Sequence, residues 1–422
     1  MSGDGPSRLF ILPLELREEV YKSALASSAY GTAVLQTCRE IHVEARKFLY
    51  QRPLVFRDQE VWFMWLNQTP AELLGNVSEM ALHVQDVNLK PILETSNYQP
   101  SRQSPRLLTA ELYQENSDKV KKALILLPNL KRLTIRTPSC RPSHLFCELV
   151  TQILASIGPS CPHLSQIRLE GNFRHHTLGF LSTMTNLNSL ALEGSSVSSP
   201  ESTAKILSTL PQLTSLSLIS DGAPISSEPT QYRACTTQRY SFNGETLRKV
   251  LNLDLLSITE NGPSRACFMT KALDALHSHT TLKRLCLRLA YTPDTTIFTS
   301  MTKFLERSPI EHLELDWPNV QALELQRHHL LGSNLVTFWV RIESASSALE
   351  VLRYLVQSRQ ERCYQLQEVV LVRSAQLCAE MTRSLDETAD DIVYDQDYNE
   401  LSRARRRLQK MSIHVAWYTE GS

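Results

Sequence analysis

From Leu130 onward the chain repeats one short hydrophobic pattern. An apolar residue is followed by two others, a second apolar residue, one other, and a third apolar residue. It occurs as NLKRLTI (Leu130, Leu133, Ile135), HLSQIRL, NLNSLAL, QLTSLSL, NLDLLSI, TLKRLCL (Leu282, Leu285, Leu287), PIEHLEL, NLVTFWV and QLQEVVL. Of these, NLVTFWV and QLQEVVL are weaker copies, and NVSEMAL and RLQKMSI are flanking candidates. Successive copies mostly lie near the roughly 20–29 residue spacing of a short strand-plus-helix repeat. The alternation that closes each copy predicts a strand with one buried face. The residues between copies read as helices, with Ser199 as N-cap and Pro200 as first helical residue, and Thr292 and Pro293 in the same roles. No such unit buries its apolar face alone, whereas a stack does. The expectation is an α/β solenoid with parallel strands inside and helices outside.

Ahead of the repeats the pattern changes to helical spacing. LPLELREEVYKSAL predicts a helix whose face is Leu16, Val20 and Ala24, with Tyr21 beside it. VLQTCREIHVEARKFLY, residues Val34–Tyr50, predicts one amphipathic helix with Leu35, Cys38, Ile41, Ala45, Phe48 and Leu49 on its apolar stripe. Leu54–Phe56 reads as a short strand and Asp58 opens another helix. Thr69-Pro-Ala-Glu72 reads as a capping box. Thr95–Leu108 and Ser220–Asn243 are polar and Pro-rich and read as loop insertions. An acidic run, Asp386–Asp391, precedes the basic Arg403–Arg407 and Lys410. A charged helix covering the last repeat fits these, with Ile413–Trp417 as a closing strand. The division expected is a helical module over 8–70 and a repeat domain over 71–422 with loop insertions near 95–108 and 220–243.

Length agrees with growth by repetition, since 422 residues exceed the roughly 250–300 at which a single core stops growing. Lys+Arg and Asp+Glu are 44 each, so no global field favours nucleic acid or an anionic membrane. LFILPL is too short and too quickly interrupted for a leader or a membrane span, which places the expected location in cytoplasm or nucleus. Nine cysteines without paired spacing fit reduced thiols there.

Motifs for chemistry are missing. There is no phosphate-binding GxxxxGK[ST], no GxGxxG, no HExxH and no GxSxG. Cys140, His144, Cys147, Cys161 and His163 come nearest to a metal set, but they lack the two close ligand pairs of structural zinc. His175-His176, His277-x-His279 and His328-His329 read as solvated or turn histidines. The sequence therefore implies no catalytic residue, no metal and no cofactor.

Chemistry gives way to surface. Residues flanking the second and third apolar positions point to the concave side of a stack. Three consecutive copies place Arg284 and Arg288, then His312, Glu314 and Asp316, then Trp339 and Arg341 there, with Trp317 directly after. Aromatic and Arg residues with mixed charge suit recognition of a protein; an internal salt-bridge ladder explains the charges equally well. Arg132, Arg136 and Arg168 form a second basic column able to pair with Glu170 and Glu193.

The repeat run, over roughly residues 77–415, resembles the irregular, helix-containing leucine-rich repeats found on F-box proteins. Leu12-Pro13-Leu14-Glu15-Leu16 with Val20-Tyr21, followed by Leu35-Gln-Thr-Cys38-Arg39, resembles an F-box. Glu44-Ala45-Arg46 to Tyr50 and Phe56 resemble the F-box-like N-termini of fungal proteins, while Glu40-Ile41-His42 stands where that family has an aromatic residue. The resemblance implies a leucine-rich-repeat solenoid capped by an F-box-like module. It implies a substrate-recognition subunit of a cullin–RING (SCF-type) ubiquitin ligase, not itself an enzyme. Leu12, Pro13, Leu16, Val20, Leu35, Cys38 and Arg39 would hold a Skp-family adaptor, and the concave patch would hold a protein substrate. The alternative is an adaptor-independent scaffold in which the same helices only cap the repeats.

Overall fold

Alternation of apolar and polar residues sets twelve short strands along the chain, and each pairs parallel with its sequence neighbours inside its own unit. The structure, a computed structural model, describes residues 8–26, 31–89, 105–138, 142–193, 196–220, 242, 244–250, 252–261, 268–277, 279–361, 365–373 and 392–419. The chain divides into two units, Met1–Asn172 with Thr183–Leu187, and Phe173–Ser182 with Asn188–Ser422.

The first unit holds helices α1 (Leu14–Ala26), α2 (Arg39–Tyr50) and α3 (Gln59–Gln68), and strands β1 (Leu54–Phe56), β2 (Glu79–His83), β3 (Arg132–Arg136) and β4 (Gln166–Glu170). Long helices at Pro105–Ile125 and His144–Ser160 pack on one another. The strands are in register, so Ala81, Thr134 and Arg168 lie side by side. The second unit holds β5 (Ser189–Glu193), β6 (Ser215–Ser220), β7 (Leu255–Glu260), β8 (Arg284–Leu289), β9 (His312–Asp316), β10 (Thr337–Ile342), β11 (Glu368–Arg373) and β12 (His414–Thr419). Helices alternate with them, and most consecutive helices touch. In both units the repeat leucines and isoleucines form buried ladders, such as Leu133–Ile167 and Leu285–Leu313. Each such residue contributes about 1.5–3 kcal/mol by leaving water. The fold is the α/β leucine-rich-repeat class expected from the pattern.

Local capping differs from the sequence reading at four places. Val34–Tyr50 is not one helix: a 3₁₀ turn, Gly31–Gln36, precedes α2, and Cys38 stands between them as an extended N-cap whose sulfur accepts from the Ile41 amide. Thr69 is not the N-cap of the next helix but the C-cap of α3, its amide and hydroxyl both donating back to the Trp65 carbonyl, and Pro70 precedes the short helix Ala71–Leu74. Asp294, not Thr292, caps Thr295–Leu305, because its carboxylate accepts from both the Thr296 and Ile297 amides while Pro293 is buried. RLQKMSI straddles the end of the helix Ile392–Lys410 and a turn at Ser412 with positive φ, so β12 starts only at His414. Pro105–Leu108 belong to a helix rather than a loop, whereas Thr95–Ser104, Asp221–Ser241 and Asn243 lie outside the described residues. Asp386–Asp391 lies outside them too. The basic part of the tail is helical and buries Leu401, Ala404 and Leu408, as a covering helix should.

Candidate functional site

Two surfaces hold the residues singled out by sequence. On the N-terminal module, α1 and α2 close a small core of Tyr21, Leu25, Ala45 and Phe48, with Leu9, Val34, Leu35 and Ile41 against it. Polar contacts lock the same face. Arg17 donates to both Glu44 oxygens, at 3.0 and 2.6 Å, and Tyr21 Oη donates to Glu44 at 2.9 Å. Burial, and then that bond to Glu44, push the Tyr21 phenol up to about 12, so it stays a donor. Lys47 reaches Glu18 at 2.5 Å.

This lock fixes the rotation of α1, and it is not the rotation expected. Tyr21 and Leu25 turn inward, so Leu16 and Val20 turn out, at 53% and 44% exposure. Ile11, Leu12 and Leu14 add 72%, 36% and 45%. Pro13 is exposed as well, and its carbonyl accepts from the Leu16 and Arg17 amides, starting the helix. Four of the seven residues assigned to an adaptor, Leu12, Pro13, Leu16 and Val20, thus share one outward band. Leu35 does not join it, because it packs on the core; Cys38 and Arg39 are exposed on the other segment. Ile11 and Leu14 went unrecognised, although the Tyr21-x-x-x-Leu25 spacing of two large residues gave the true inward face.

On the second unit, β8, β9 and β10 present alternate residues to the open face. Three rows run across the strands: Arg284, His312, Thr337; Cys286, Glu314, Trp339; Arg288, Asp316, Arg341. All seven patch residues therefore come together. Their charges are mutually paired. Arg284 meets Asp254 at 2.5 Å, Arg288 meets Glu314 at 2.7 Å, and Arg341 meets Asp316 at 3.0 Å. Burial, followed by nearby Glu314, pushes the Cys286 thiol up to about 12, so it is a neutral, unreactive neighbour. The Trp339 ring lies 6.0 Å from that of Tyr418 on β12, with buried Val370 in the strand between. Tyr418 was missed because nothing local marks it; only pairing of β11 with β12 brings it there. Trp317 is fully buried against Phe298 on the opposite side, not on the open face.

The remaining chemistry candidates are structural. Cys161 is buried at a helix end, its thiol pushed up to about 12 by desolvation. Cys147 is half-buried and Cys140 lies outside the described residues. No group of three His, Cys, Asp or Glu side chains gathers to hold a metal among the described residues. The histidine pairs are not uniformly solvated. His176 and His279 are buried and His328 stacks on Phe298, while His175, His277 and His329 stay exposed. Packing against the repeat core, invisible in the local sequence, draws one of each pair inward. No described helix is long and apolar enough to cross a membrane.

Neither a protein-family model nor any curated protein matches the chain. Among solved structures, a chain of the crystal structure of the Rad7 and Elc1 complex in yeast aligns over 85% of this chain and 89% of its own, at 12% identity and a TM-score of 0.40. That likeness bears on none of the residues above.

Proposed function

We propose that the protein is a non-enzymatic substrate receptor of a cullin–RING ligase, docking a Skp-family adaptor on the band Ile11, Leu12, Pro13, Leu14, Leu16 and Val20. The observation that carries this reading is the band itself. A helix that only covered the end of a repeat stack would show a polar outer face. Here Leu16 and Val20, about one helical turn apart, are left exposed on one side of α1 with Ile11, Leu12 and Leu14 exposed at its start, and the local core is closed without them. In this reading the repeats capture a protein substrate through Trp339 with Arg284, Arg288, His312, Glu314, Asp316 and Arg341. Trp339 and Tyr418 serve as the anchor, since the charges already satisfy one another and give orientation more than affinity. Ubiquitin transfer belongs to other subunits.

The test is co-purification of the full chain with a Skp-family adaptor. Wild type should retain the adaptor, and Leu16→Asp/Val20→Asp should lose it while its melting temperature stays close to wild type, because neither residue belongs to the closed core. Failure of wild type to retain any adaptor would leave the adaptor-independent scaffold as the reading.

A further inference from the structure

The open face of the first unit carries charge that its own carboxylates do not balance. Lys131, Arg132, Arg136 and Arg168 lie on or beside β3 and β4, against Glu79 and Glu170. Arg132 Nε donates to Glu79 at 2.8 Å. Glu170 is shared, pairing with both Arg136 and Arg168. No ion pair is formed by Lys131 among the described residues. Arg136 Nη1 lies 3.1 Å from His83 Nε2. A guanidinium only donates, so that nitrogen is an acceptor and the imidazole is neutral. Arg57 is close enough to act on the same ring.

Shape accompanies the charge. The row between the arginines is Ala81 and Thr134, both small, in register with Arg168 on one side and Val55 of β1 on the other. Val55 is 55% exposed at the sheet edge. Arg132 and Arg136 stand in the rows above and below. The result is a shallow trough with a small-residue floor, sides of mixed charge in which Glu79 accompanies Arg132 and Glu170 accompanies Arg136, Arg168 at one end and apolar Val55 at the other.

We propose that this trough binds an extended acidic peptide segment of a partner protein, its carboxylates over Arg132, Arg136 and Arg168 and an apolar side chain toward Val55. A peptide backbone lies close over Ala81 and Thr134, where larger residues would hold it off. Arg136 and Arg168, which share one carboxylate, gain a second, and Lys131 beside them gains an ion-pair partner. This site is separate from the adaptor band and from the Trp339 patch, and it stands or falls without them.

The experiment is fluorescence anisotropy with the full chain and a labelled twelve-residue peptide of alternating Glu and Leu. Wild type should bind at low salt and weaken as salt screens the contact. Arg168→Glu should weaken binding by roughly tenfold or more, and Arg168→Gln, which adds no like charge beside Glu170, by less. Thr134→Trp should weaken it by filling the floor. Lys303→Glu, on a helix of the second unit, should leave it unchanged. Absence of wild-type binding, equal binding by Arg168→Gln and wild type, or equal loss in Lys303→Glu would overturn the proposal. So would tighter binding of a single-stranded oligonucleotide than of the peptide, which would make the trough a nucleic-acid surface.

Discussion

Lys131-Arg-Leu-Thr-Ile-Arg136 and Lys283-Arg-Leu-Cys-Leu-Arg288 are nearly the same string in two different repeats, yet their surfaces have opposite character. Both place their apolar residues in a buried ladder and their basic residues on the open face. In the second, every cation has its own carboxylate: Lys283 with Glu311, Arg284 with Asp254, Arg288 with Glu314. In the first, the next strand carries Ser165 where the other has Glu311, and Arg168 where the other has Glu314. Glu170 must then serve two arginines. The lesson is that a repeat's surface chemistry belongs to pairs of repeats. The string sets which side chains face outward, and its neighbour sets whether they are satisfied.

The inner faces should behave alike. Leu133→Ala and Leu285→Ala each remove a buried ladder residue and should each cost about 2–5 kcal/mol in denaturant unfolding. A marked difference between them would break the claim that only the outer faces diverge. A smaller, pH-dependent effect comes from histidine. Burial lowers the pKa of His83, helped by Arg136 and Arg57, and burial holds His176 near about 4. Unfolded histidine titrates near 6.5, so below that value the unfolded chain binds more protons than the folded one. Stability should therefore be full above about pH 6.5 and fall as pH drops, for His176 down to about 4. Melting curves between pH 7 and 4 measure this, and His176→Gln should flatten them; an unchanged slope would remove His176 as a cause. The smallest effect concerns the exposed pairs. Arg288→Ala leaves Glu314 without its cation and should cost up to about 1 kcal/mol. Arg136→Ala should cost less, because Arg168 still holds Glu170. A larger cost for Arg136→Ala would mean that Glu170 needs both arginines.

Tyr21 and Leu16 show where legibility stopped in the module. Both are apolar at helical spacing, and local pattern alone favoured the face of Leu16, Val20 and Ala24. The rotation was decided by α2, which offers Ala45 and Phe48 for packing and Glu44 for Arg17 and Tyr21. The patch on β8 to β10 was legible residue by residue because alternation in a strand is strict. Its internal ion pairs, and Tyr418 beside Trp339, were not, because both depend on register between segments distant in sequence.

What the sequence determined by itself is the repeat: period-2 alternation and recurring leucines force parallel strands with a buried ladder, since no single unit can bury its own apolar face. Tertiary structure alone decided which way α1 turns its hydrophobic residues, which histidines are buried and which charges find partners. Those outcomes depend on distances between residues tens of positions apart, and local periodicity carries no information about such distances.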